Sequence, residues 1–169
     1  MTVNALVLFV HILGMLLLFV SLGIEWVGID ALSRSPTPSQ AEPWAKIARR
    51  SLRLQGVAAV LIFASGARIA ARFGMFEFAW VRASLVALVL IAALAGIVSL
   101  SRRRAADLRI GRLWPASVAI RIALALGVVY LMVAKSDIVE SLIVLALALA
   151  LGAVAATRMK PAIRVSYVP

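Results

Sequence analysis

Cysteine is absent from the 169 residues, which excludes disulfides, thiolate metal sites and cysteine nucleophiles. Acidic side chains are few, 7 against 18 Lys and Arg, and histidine occurs once. A carboxylate- or imidazole-rich catalytic centre therefore has little to be built from. No P-loop, Gly-rich nucleotide loop, HExxH sequence or nucleophile elbow occurs. A Ser/His/Asp triad is not expected either, because Asp30, Asp107 and Asp137 all fall in expected loops. An enzyme acting alone does not emerge from this inventory.

Apolar residues are what the chain has in excess. They make up 64% of it, and the mean hydropathy is +1.05. An ordinary soluble domain is about half apolar and could not keep so much greasy surface from water. A bilayer can. Five apolar stretches, roughly 3–27, 54–71, 83–100, 113–133 and 138–156, are each near the ~20 residues that a helix needs to cross a hydrocarbon core. The fold expected is all-α: one polytopic transmembrane bundle of five spans, with no separate soluble domain. The first stretch lacks a basic n-region and a clear cleavage site, and is taken as a retained helix.

The cations then set an orientation. Arg34, Lys46, Arg49, Arg50 and Arg53 follow span one; Arg102, Arg103, Arg104, Arg109 and Arg112 follow span three; Arg158, Lys160 and Arg164 lie in the tail. With five spans these three segments share one side, and the positive-inside rule makes that side the cytoplasm, with the N-terminus outside. The excess of basic charge, +11 in all, is thereby explained without nucleic acid. Trp26, Trp44 and Trp114 fall at cytoplasmic boundaries and Trp80 and Tyr130 toward the other face, as headgroup-level aromatics do. The Ala- and Arg-rich composition points to a bacterial inner membrane.

Local signals refine the picture. Residues 33–43, with Pro36 and Pro38, read as extended loop. From about 43 to 53, Trp44, Ile47, Ala48 and Leu52 recur near helical spacing among Lys46, Arg49, Arg50 and Arg53. This predicts a short helix lying on the anionic inner leaflet, with a basic partner-docking surface as the alternative. Pro115 suits the first turn of span four. Asp137 and Glu140 form a D-x-x-E start for span five, making a tight hairpin around Lys135 and Ser136. Ala92/Gly96, Ala123/Gly127 and Ala148/Gly152 are small-xxx-small pairs that let helix backbones approach.

Span one is the most informative. Asn4, His11, Leu18 and Glu25 recur every seven residues and share one helix face, flanked by Gly14, Ser21 and Gly28. His11 and Glu25 are about 21 Å apart along the axis and cannot touch. Buried ionisable groups need partners, and Arg121, at a depth similar to that of Glu25, is the expected one, with Gln55 as third member. Arg68, near the outer end of span two, can snorkel to headgroups. His11 reads first as a neutral imidazole hydrogen-bonded to a neighbouring helix. The sharper reading makes it a haem or metal ligand or a proton-relay group. One histidine cannot supply both axial ligands of a bis-His haem, and Met15 is one turn away on the same helix, unable to reach the opposite haem face.

The segment Phe9-Val10-His11-Ile12-Leu13-Gly14, with its long apolar continuation to Gly23, resembles the first helix of small bacterial membrane families. These include an uncharacterised family of predicted integral membrane proteins and the copper-resistance D-type proteins, some of them associated with haem or copper. His11 and Gly14 match the His-x-x-Gly of those families; their Trp-x-Gly-Gly continuation is replaced by residues 17–21. The resemblance covers about one span of five and lends His11 weight as a cofactor-binding candidate without transferring an activity.

Three functions follow as expectations. The first is an accessory or assembly subunit of a membrane complex, with no cofactor, partnered by lipids, other subunits or further copies of the chain. The second is a transporter or channel for a small solute or ion along the polar stripe of span one. The third is a haem- or copper-handling protein using His11.

Overall fold

The computed structural model describes residues 3–104 and 113–158; Asp107, Arg109, Arg112, Lys160, Pro161 and Arg164 lie outside that range. Five helices run in order: α1 Val3–Ser33, α2 Pro38–Arg72, α3 Ala79–Arg104, α4 Leu113–Ala134 and α5 Ile138–Arg158. A short 3-10 turn, Met75–Glu77, precedes α3. All five are long and apolar enough to cross a membrane. The all-α five-span architecture is as the sequence implies.

Each helix forms for legible reasons. Asp137 caps α5, its carboxylate accepting the Glu140 N–H at 2.9 Å, and Lys135 takes a left-handed φ of 52° to turn the chain between α4 and α5. Gly74, at φ 64°, does the same between α2 and the 3-10 turn, where only glycine is unstrained. The Leu, Val, Ile and Phe side chains of all five helices dominate the outer surface, as lipid requires.

The extended loop from 33 to 43 and the separate leaflet helix from 43 to 53 are not what forms. The loop is only 34–37: α1 extends past Val27 to Ser33, and everything from Pro38 on belongs to α2, a continuous helix of 35 residues. Pro38 sits in the first turn, where its missing N–H costs nothing, while Pro43 lies inside the helix and leaves the Ser39 carbonyl without its helical donor. The apolar spacing of Trp44 and Ile47 misleads here, because both are exposed; the residues that bury are Ala41, Ala45, Ala48, Ser51, Gln55 and Ala58. These small side chains form a seam along α1. Helices of 31 and 35 residues measure roughly 46 and 52 Å at ~1.5 Å per residue, well beyond the ~30 Å hydrocarbon core. The α1–α2 hairpin is thus longer than that core is thick, and its basic residues Lys46, Arg49, Arg50 and Arg53 are exposed near its turn.

Close approach keeps the hairpin in one antiparallel register. A Cβ at Gly14 would lie 3.0 Å from Ile62 Cγ1, and one at Gly28 would lie 3.0 Å from Ala48 Cβ. Glycine at these positions lets the backbones meet. Two of the three small-xxx-small pairs act likewise between α4 and α5: Gly127 faces Ala148, and a Cβ at Gly152 would come within 2.7 Å of the Ile120 Cα. The third does not. Ala92 is exposed, and nothing lies within 4 Å of a Cβ at Gly96, so this pair faces outward. Helix α4 packs on α3 and α5 as well as on α1, joining the hairpin to the rest.

Candidate functional site

Two polar centres lie within the bundle. The first is at the basic end, where Glu25 of α1, Gln55 of α2, and Trp114, Ser117 and Arg121 of α4 are all buried. Glu25 Oε1 accepts from Arg121 Nη2 at 2.8 Å and from the Trp114 indole N–H at 2.6 Å; Oε2 accepts from the Gln55 amide at 2.6 Å. Arg121 Nη1 donates to Gln55 Oε1, and Nε to the Ser117 carbonyl and hydroxyl, each at 3.2 Å. Ser117 Oγ reaches the Leu94 carbonyl of α3 at 3.4 Å. Four helices are thereby tied to one ion pair.

That pair is the one the sequence implies, with Gln55 as its third member. Glu25 and Arg121 are fully buried, 0% exposed, so the cost of removing two charges from water is large and only complete hydrogen bonding can offset it. Here it is complete. Among the described residues the only buried side-chain polar atom lacking a hydrogen bond is Ser136 Oγ, far along the chain from this cluster. Trp114 departs from its expected headgroup position: it is 3% exposed and serves the carboxylate. Trp114, Ser117 and Arg121, spaced three and four apart, share one face of α4, so the spacing that would have revealed the Trp was present in the sequence.

The second centre is His11, in the other half of α1. Its Nδ1 lies 3.1 Å from Ser65 Oγ and 3.2 Å from the Ile62 carbonyl, both on α2. Ser65 Oγ also donates to the Leu61 carbonyl, which spends its proton. Nδ1–H is therefore the donor in this arrangement, and Nε2 carries the lone pair. Gly66 makes room for the ring, since a Cβ there would lie 3.0 Å from His11 Cε1. The ring faces α2, not lipid, as the polar stripe requires. Asn4, seven residues earlier, is exposed at the end of α1 and joins neither centre.

His11 lines an apolar cavity of about 240 Å³ walled by α1, α2, α3 and α4. Met15, Met75 and Met132 line it too, as does Trp80, whose ring stacks on Phe78 at 6.5 Å. No local pattern foretells this gathering, because Met75 and Met132 sit on elements whose packing order the sequence does not encode locally. Its volume is below the ~300–1,000 Å³ usual for enclosed small-molecule and cofactor sites. One imidazole nitrogen with thioethers is a donor set that suits a soft ion such as Cu(I). Beside the cavity, a groove lined by Asn4, Arg68, Arg72, Phe73 and Met75 opens at the same end. Among the described residues no three His, Asp or Glu side chains gather to hold a metal.

Compared with protein-family models, curated proteins and solved structures, the chain matches none. Its function is argued from these two centres alone.

Proposed function

We propose that the chain is a multi-pass protein of the bacterial cytoplasmic membrane, N-terminus outside and C-terminus in the cytoplasm, acting as an accessory or assembly subunit of a membrane complex. The observation that carries this reading is the saturation of the Glu25–Arg121 centre. An ion-conducting or proton-carrying carboxylate needs a position that water or cargo can reach, and it must change partners during a cycle. Glu25 has three donors, no exposure and a partner on each of two other helices. Such a group fixes helix order. The orientation rests on the basic clusters, and the α1–α2 hairpin offers anionic headgroups or a partner subunit an exposed basic stripe.

The test is Glu25→Gln in the full chain, followed by proteoliposome flux and by the size of the native assembly in mild detergent. The accessory reading expects wild-type vesicles to leak no faster than empty ones, and the variant to lower the amount of assembled protein. Proton or ion flux that the variant abolishes while the fold survives would replace this reading with a transporter.

A second reading has its own observation: His11, with Nδ1 engaged and Nε2 carrying a lone pair, shares its cavity with three methionines. A copper-handling role needs such soft donors. Metal analysis after loading with Cu(I) decides it: one equivalent bound by wild type and lost in His11→Gln supports it, and no binding rejects it.

A further inference from the structure

We propose that the end of the bundle opposite the Glu25 centre holds one anionic phospholipid, its phosphate on Arg68 and Arg72 and one acyl chain in the apolar cavity. The cavity borders the groove directly: Leu8, Ile69 and Met75 line both. Arg68 and Arg72 are one helical turn apart on the same face of α2, both exposed and without an ion-pair partner among the described residues. No acidic side chain lines the groove. Arg82, by contrast, is already engaged: its Nε donates to the Phe76 carbonyl at 2.7 Å and holds the 3-10 turn that walls the cavity.

The chemistry selects the occupant. Inorganic phosphate would match the guanidiniums but leave the apolar cavity empty, and a zwitterionic lipid would fill the cavity while offsetting the cations with its own. Only an amphiphile with a net negative head and a hydrocarbon chain meets both halves. The site opens sideways as well: α1 and α3 both wall the cavity yet do not pack on each other. A chain can enter from the bilayer between them. Phe73, Phe76 and Phe78, all exposed at this end, place the loop at headgroup depth.

Native mass spectrometry of the full chain in detergent, titrated with phosphatidylglycerol, phosphatidylcholine, inorganic phosphate and dodecyl phosphate, tests the proposal. A single phosphatidylglycerol adduct is expected, favoured about thirtyfold over phosphatidylcholine, since each of the two basic residues contributes on the order of 1 kcal/mol near a lipid surface. Dodecyl phosphate should compete for it and inorganic phosphate should not. The double variant Arg68→Gln/Arg72→Gln, at exposed positions that the fold does not use, should lose the preference with helicity unchanged. Arg49→Gln/Arg50→Gln, at the other end, should keep it. Equal binding of the two lipids by wild type, full competition by inorganic phosphate, or loss of the preference on changing Arg49 and Arg50 instead would each overturn the assignment.

Discussion

At the basic end, Glu25, Gln55, Trp114 and Arg121 are buried and hydrogen-bonded across three helices, whereas at the opposite end α1 and α3 do not meet and four helices line a cavity of about 240 Å³. Lipid supplies no hydrophobic drive between helices, so association depends on close backbone packing and on polar links. The basic end has both: small residues on α1 and α2, and the ion pair. The cavity end has the α1–α2 seam, with His11 on Ser65 and Ile62, but α3 is held off. Strength is thus concentrated where the cations mark the membrane boundary, and space is left where Arg68 and Arg72 sit.

This contrast can be broken most severely by Arg121→Leu. It would strand a buried carboxylate and is expected to cost about 3–5 kcal/mol in denaturant titrations in mixed micelles, against within about 0.5 kcal/mol for Arg68→Leu at the other end. Trp114→Phe keeps the ring's bulk and removes one hydrogen bond to a charged group, so about 1.5–3 kcal/mol should be lost by the same measurement. Gly152→Ala, which drives a methyl toward the Ile120 backbone, should cost about 1–3 kcal/mol. Gly96→Ala should be neutral or stabilising by up to about 1 kcal/mol, because nothing stands in its way. A small effect is expected also for His11→Gln, whose amide can still donate to α2. A change of about 1 kcal/mol or less in the unfolding free energy is expected, and a larger one would show that the cavity end is as tightly held as the basic end.

Much of this was open to sequence reasoning. Apolar length gave five helices, and matched depth with opposite charge gave Glu25, Arg121 and Gln55. His11 against a neighbouring helix followed from the seven-residue stripe. One miss has a simple cause: burial between membrane helices goes to small residues, which stand out less than large apolar ones. The seam of Ala41, Ala45 and Ala48 is therefore hidden behind the larger Trp44 and Ile47, whose spacing suggests a separate leaflet helix where one long α2 forms. Trp114 was assigned to the interface by residue type, although its spacing from Arg121 placed it on the buried face. The cavity joins residues from four helices, and no local pattern announces such a meeting.

The central claim is that the Glu25–Arg121 pair is the fastener of the bundle, not a working group. A double-mutant cycle with Glu25→Leu, Arg121→Leu and the combined variant, read as unfolding free energy in mixed micelles, tests it most directly. Each single change leaves a buried charge alone, so either should cost more than the two together, which replace the pair by apolar side chains. Simple additivity of the two losses would contradict the account.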